Sequence, residues 1–348
     1  MLTTADVERA LRCYNLGSLH TVRPASHGAV NETAFVETSA GRFVIRRNQR
    51  RLGRASIELR HRLLTWLRAR GFPSPRLVAA RSGATIVEID GRLFEVCTFI
   101  DGDELNPDRP AQLSGAGLVL ARYHLAVQGF PDLPAAEGPR YTPASLPGLI
   151  ERLMQRDLMG ELTEPLSWYD RRATALRRTL PEAAYAALPH LLIHGDLHRD
   201  NLIFRGDTVA ALIDFDQITL DARIVDLADA MVDLAVGPAP PDWFPWGVYP
   251  GPLDAERAGL LLAGYDQVAP LTASERAALP TILEVIWLQG NLRRVLSTAD
   301  ADPEYHHEVL EQGRRLALWI QEHPEALGGL AVEARSGVEA AHQRRSHD

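Results

Sequence analysis

The sequence predicts an α+β fold in two lobes, a small β-rich lobe followed by a larger, mainly helical one. Three observations point to it. Short β-like runs dominate the first hundred residues, with one internal helical stretch. Beyond Asp101 and Gly102 the apolar spacing turns helical. A β island at 191–214 then interrupts the helices. The chain's 348 residues suit two units of ordinary domain size. The expected boundaries are 1–101, 102–330 and a polar tail at 331–348.

Taken in order, Thr3 to Leu11 reads as a short helix capped by Thr4 or Asp6. Strand patterns follow at Thr33 to Thr38 and Arg42 to Arg47, around a turn at Ala40 and Gly41. Residues 55–70 carry Leu59, Leu63, Leu64 and Leu67 at helical spacing, and the run from Gly71 to Pro75 ends that helix. Strands near 84–89 and 93–100 flank the turn Asp90-Gly91. Helices are predicted at Pro110 to Val127, 145–158, 164–187, 223–236, 254–266, 272–298 and 303–322. A proline- and aromatic-rich loop fills 237–251.

Composition narrows the function classes. The 37 basic residues are outnumbered by 45 acidic ones, a net charge of −8, so the chain has no general electrostatic pull on nucleic acid or anionic membrane. The sequence contains no lysine, which excludes a lysine-bearing phosphate loop and a lysine Schiff base. Cys13 and Cys97 are far apart and suggest neither a disulfide framework nor a zinc knuckle. No N-terminal stretch reads as a signal peptide and no apolar run is long enough to span a bilayer, so a cytoplasmic location is expected.

The chemistry concentrates in two linked segments, Leu191 to Phe204 and Val209 to Asp216. An apolar strand leads into a polar loop, a hairpin turns at Arg205 to Asp207, and a last strand ends at Asp214. Asp196, Asn201 and Asp214 thereby fall at the ends of short strands. An Asp that accepts a hydroxyl proton, with an Asn and an Asp to hold Mg²⁺, is the donor set that phosphoryl transfer requires. Asp196 and Asn201 stand in the Asp-x4-Asn spacing of a kinase catalytic loop. A metal-hydrolase cluster at His194, Asp196 and His198 is the competing reading of the same loop.

At these residues the sequence resembles the aminoglycoside phosphotransferase and choline kinase family, which includes homoserine kinase-like proteins. The match runs through His194, Gly195, Asp196 and Asn201, then Ile213 to Asp216, then Asp226 in a downstream Asp-Leu-Ala. The resemblance covers roughly residues 20–320 and implies a bilobal protein-kinase-like fold. It implies Asp196 as catalytic base, Asn201 and Asp214 as Mg²⁺ ligands, and His194 and Asp226 as structural support of the catalytic loop.

The resemblance further aligns Phe43 to Arg46 with the kinase strand that carries the phosphate-binding lysine, and puts Arg46 in its place. Strand alternation sets Val44 and Arg46 on one face and Arg47 on the other, towards solvent. Gly28 lies where relatives have their nucleotide-covering loop, and Thr98 and Ile100 lie at the hinge that offers backbone groups to adenine. Relatives pair the lysine with a helical glutamate. Here Arg60 occupies that place, and Glu58 is the nearest acid on the helix, away from the apolar stripe. Glu58, another acid, or a weakened nucleotide site are the three ways to complete the pair.

The implied activity is ATP-dependent phosphorylation of a hydroxyl on a small molecule, a hydroxylated amine such as an aminoglycoside, an amino-alcohol or a homoserine-like compound. A protein Ser/Thr kinase is the second reading, but the interval from Asp214 to Asp226 is short for a peptide-docking segment. A nucleotide-binding pseudokinase is the third, prompted by Arg46 and Arg60. The loop 242–249 and the helix 284–293 are the candidate walls of the acceptor site.

Overall fold

The computed structural model describes residues 2–25, 32–48, 53–133, 140–157, 160–238, 248–249, 251–298, 301–323 and 327. In chain order its elements begin with α1 (Thr4–Leu11), β1 (Leu19–Pro24), β2 (Glu32–Thr38), β3 (Gly41–Arg47), α2 (Arg54–Ala69), β4 (Val87–Ile89), β5 (Arg92–Thr98) and β6 (Asp103–Glu104). There follow α3 (Pro110–Ala126), α4 (Leu146–Arg156), α5 (Thr163–Thr179), α6 (Glu182–Ala186), β7 (His190–Ile193), β8 (Leu202–Arg205), β9 (Thr208–Leu212) and β10 (Thr219–Ala222). The chain continues with α7 (Arg223–Leu234), α8 (Ala255–Asp266), α9 (Ala273–Ser297) and α10 (Pro303–Glu322). Two compact units result. One comprises Met1–Glu104, Ala126–Pro134 and Asn201–Asp216; the other comprises Leu105–Leu125, Ala135–Asp200 and Gln217–Asp348.

In the first unit α1 starts at Thr4, one residue later than the sequence suggested, and its cap is neither Thr4 nor Asp6. Thr3 is the cap, and Thr3 and Asp6 satisfy each other's orphan amides in a capping box. The five-stranded antiparallel sheet runs β1-β2-β3-β5-β4. Its register decides which residues share a face. Ala34, Val36, Phe43, Ile45 and Val96 are buried in one cluster with Val7 and Ala10 of α1. Val44 and Arg46 alternate with that set, and Arg46 stands opposite Glu95 of β5. Helix α2 buries Ile57, Leu63, Leu64 and Leu67, and with them the polar residues Arg60 and His61. The β8–β9 hairpin joins β6 in a second sheet, and β9 is tied down where Leu212 donates to the Pro73 carbonyl.

The second unit is mostly helical. Helices α4, α5, α9 and α10 enclose a core that includes Ile150, Leu166, Leu288, Leu292 and Val309. The single helix expected over 164–187 is two, because the chain turns extended at Pro181, which stands before α6. β10 is not among the strands the sequence predicts. It pairs antiparallel with β7, Thr219 opposite Ile193 and Ala222 opposite His190. This ribbon delivers the chain to the loop at 194–200. Among the described residues no helix is long and apolar enough to cross a membrane.

Candidate active site

In the first unit the site is built around the turn after β9. Ile213 donates its amide to the Asn201 carbonyl at 2.9 Å, which joins the end of the hairpin to its beginning. Asp214 follows with φ of 60°, a left-handed conformation that costs a non-glycine residue roughly 1–2 kcal/mol. Such strain persists where a function requires it. Asp214 Oδ1 is buried without a hydrogen-bond donor, 3.6 Å from Arg46 Nη2. Two residues on, Asp216 accepts from Arg46 Nη2 at 2.5 Å and from Arg60 Nη1. Asn201 is buried beside this turn.

Arg60 bridges Asp216 to Glu95, donating to Glu95 Oε2 at 2.5 Å. Glu95 also meets His61 Nε2 at 2.6 Å and Arg46 Nη1 at 3.6 Å. Burial acts to raise the Glu95 pKa, but the Arg60 charge, the His61 contact and Arg46 outweigh it and hold the carboxyl well below its ordinary range. Arg47 is not solvated as expected. It is held by Glu32 at 2.5 Å and Asp6 at 3.1 Å. Glu58 does not complete the pair. It is half-buried and lines a surface hollow with His61 and Arg62.

At the end of β5 the Thr98 amide is engaged by the Arg76 carbonyl at 2.9 Å, and the Thr98 hydroxyl accepts from the Arg76 amide. Ile100 is half-buried. Gly28 lies outside the described residues, as do most of the aromatic residues of the loop 242–249.

In the second unit β7 ends in the loop that carries Asp196. The Asp226 carboxylate on α7 accepts from the amides of His194 and Gly195, at 2.7 and 2.6 Å. His124 Nε2 lies 3.0 Å from the same carboxylate, and its Nδ1 meets the Tyr265 hydroxyl at 2.6 Å. Burial pushes the Asp226 pKa up, but His124, His194 and the Gly195 amide overcome it and keep the group below the ordinary value. Gly195 has φ of 74°, and a Cβ there would come within 2.6 Å of the Gln217 carbonyl and 2.7 Å of Arg140 Nη1. Arg140 binds the outer side of the turn through the Gly195 carbonyl and Gln217.

Asp196 is thus presented on a fixed turn with 42% of its side chain exposed. Its carboxylate lies 3.7 Å from His198 Nε2. Burial raises its pKa, but His198, His194 and Arg140 prevail and the group stays below the ordinary carboxylate range. Contact with Asp196 in turn raises the His198 pKa against the effect of burial. Asp229, one turn along α7 from Asp226, is pushed up to about 8 by burial and by the charges of Asp226 and Asp196. No three His, Cys, Asp or Glu side chains among the described residues are arranged to hold a metal. Of the candidate acceptor walls, Trp287 is fully buried core and Glu284 is engaged by Arg172.

The structure therefore brings Arg46 and Asp214 into contact, with Asn201 beside the turn, in one unit. It brings His194, Asp226 and the Asp196 loop together in the other. Sequence reasoning missed Glu95, Asp216 as an arginine acceptor, His124 and Arg140. One signal was available: Arg60 sits in the series Ile57, Leu63, Leu64, Leu67, and a charge inside an apolar stripe needs a buried partner.

A family model described as the phosphotransferase enzyme family matches residues 21–271. The chain belongs to this family. A homoserine kinase of Gluconacetobacter diazotrophicus is 31% identical to the phosphotransferase over 78% of this chain and 79% of the relative. A homoserine kinase of Methylobacillus flagellatus is 28% identical over 93% of this chain and 99% of the relative. An aminoglycoside phosphotransferase from Alicyclobacillus acidocaldarius has a similar structure, with TM-score 0.67 at 18% identity, 98% of this chain and 97% of that one. The bilobal kinase-like fold is therefore shown, and the phosphotransferase is a small-molecule kinase that acts on a hydroxyl group.

Proposed function

We propose that the enzyme transfers the γ-phosphoryl group of ATP to the hydroxyl of homoserine or a closely similar amino-alcohol, in the cytoplasm. The observation that carries the reading is the buried, donor-less Oδ1 of Asp214 beside Arg46, a carboxylate oxygen prepared for a cation next to a charge prepared for phosphate. The homoserine assignment rests on the relatives' names. Similarity to small-molecule kinases speaks against a protein kinase, and the Arg46 and Arg60 departures that prompt the pseudokinase reading are met by acidic partners at Glu95 and Asp216.

Asn201 and Asp214 supply an amide and a carboxylate oxygen, hard donors of the kind Mg²⁺ takes alongside the phosphates of a nucleotide. Bound there, the cation would neutralise charge on the transferring phosphoryl group. Arg46 adds a guanidinium fork that suits phosphate oxygens. The nucleotide would be covered by the loop at Gly28 and held at the hinge by Thr98 and Ile100.

Asp196 stays ionised near neutral pH, as a proton acceptor must. It takes the proton of the acceptor hydroxyl. That oxygen then bonds to the γ-phosphorus as the bond to the β,γ-bridging oxygen breaks, and ADP leaves. Asp226 and His194 hold the loop so that Asp196 needs no reorganisation.

The test is a thermal-shift series with ATP, with and without Mg²⁺. Wild type is expected to gain stability from ATP only in the presence of the cation, by mass action. Asp214→Ala is expected to lose that dependence. Identical responses in the two proteins would remove the metal assignment.

A further inference from the structure

Four charges in the first unit, two buried and two half-buried, alternate in sign and close on themselves. Arg46 meets Asp216 at 2.5 Å, Asp216 meets Arg60, Arg60 meets Glu95 at 2.5 Å, and Glu95 returns to Arg46 at 3.6 Å. No side chain in the ring is more than 16% exposed. It ties together β3, α2, β5 and the turn after β9.

From this ring we infer that Arg60 is the positioning residue for the cation-binding Asp214, acting through Asp216. The inference rests on the phosphotransferase reading above, in which Asp214 holds the cation. Three points support it. First, a buried ion-pair network is a poor source of stability, because desolvation cancels most of the Coulomb gain. Its presence is better explained by geometry it enforces. Second, Arg46 is shared, 2.5 Å from Asp216 and 3.6 Å from Asp214. A phosphate that draws on Arg46 weakens its hold on Asp216, and Arg60 then keeps that carboxylate in place. Third, Asp214 is in a left-handed conformation two residues before Asp216, so whatever anchors Asp216 fixes the direction in which Asp214 points.

The ring also explains why an arginine can stand where relatives have a helical glutamate. An arginine there requires acids on both sides, and Glu95 and Asp216 provide them. The acid that completes the arrangement comes from β5 and the metal-bearing turn, with the sign on the helix inverted.

The test measures the Mg²⁺ concentration at which ATP reaches half of its thermal stabilisation. Arg60→Lys keeps the charge but loses the fork that spans two carboxylates. Asp216→Asn weakens the same link from the other end. Each is expected to raise the half-saturating Mg²⁺ concentration about tenfold, as loss of a partner behind a metal ligand does. The double variant is expected to be no worse than Asp216→Asn, since both act through one contact. Arg172→Lys, in the bidentate pair with Glu284 of the second unit, is the control. It is expected to lower the melting temperature and leave the Mg²⁺ requirement alone. Should Arg60→Lys lose its cooperative melt, Asp216→Asn carries the test by itself. Wild-type Mg²⁺ dependence in both single variants, or additive effects in the double, would overturn the inference. A wild type with no Mg²⁺-dependent response would overturn the metal assignment beneath it and the inference together.

Discussion

The two units restrain their functional acids in different ways. In the second unit the loop before Asp196 is held by backbone amides: His194 and Gly195 donate to Asp226, and His124 braces that carboxylate. In the first unit Asp214 stands on a turn that the Ile213 amide closes onto the Asn201 carbonyl and that side chains brace, two arginines shared between Asp216 and Glu95. An amide clasp fixes two consecutive backbone donors on one carboxylate and permits little freedom. A guanidinium ring reaches across four elements and is adjustable, because a ligand that binds Arg46 changes the load on every other member. The acid proposed as proton acceptor sits on the rigid arrangement, and the groups proposed to meet nucleotide and cation sit on the responsive one.

The largest effect that sharpens this contrast should come from Asp226→Ala. It removes the acceptor of two buried amides and leaves His124 Nε2 without its carboxylate partner. A loss of about 3–5 kcal/mol is expected, because unpaired buried polar groups bear their full desolvation penalty. Denaturant unfolding monitored by circular dichroism reads it. A loss under about 1 kcal/mol would mean the clasp does not hold the loop.

Gly195→Ala should be next. The left-handed backbone and the approach to the Gln217 carbonyl and Arg140 together predict a loss of about 2 kcal/mol or more and a lower kcat. Tolerance of alanine with full activity would show that the turn is looser than the amide clasp implies.

A smaller effect is expected at Asp229. Its carboxyl titrates at about 8 when folded, above the unfolded value, so the folded state holds its proton more tightly. That contribution to stability is complete in acid, below the unfolded value, and is lost as pH rises through about 8. Asp229→Asn should therefore raise the melting temperature by several degrees at pH 9 relative to wild type, and the difference should shrink towards pH 4. A constant difference across that range would contradict the assignment. The smallest effect should be Arg47→Met, whose half-buried pairs with Glu32 and Asp6 predict a change of about 1 kcal/mol or less and unchanged Mg²⁺ dependence.

The same contrast explains what could be read from the sequence. The amide clasp joins two short motifs, the loop at 194–196 and the Asp-Leu-Ala beginning at Asp226, so Asp196, His194 and Asp226 can be singled out from residue order and the family pattern. The strand register placing Val44 and Arg46 on one face followed from alternation. The ring was not legible as a ring, because Arg60, Glu95 and Asp216 are brought together from distant parts of the chain by tertiary packing. Only Arg60 left a trace, as a charge within an apolar stripe, and it was assigned no partner. β10 escaped notice because four residues are too few for alternation to show, and its identity comes from its pairing with β7. The break at Pro181 was written in the sequence but hidden by helical spacing on both sides.

The most direct test of the central claim follows phosphorus by NMR in a mixture of enzyme, Mg²⁺, ATP and homoserine. Wild type is predicted to give ADP and a phosphate monoester of homoserine in equal amounts. Asp196→Asn should bind ATP as wild type does while turnover falls by about 10²–10⁴. Phosphoryl transfer undiminished in Asp196→Asn, or ATP bound by wild type with no ester formed from homoserine or any related amino-alcohol, would contradict it.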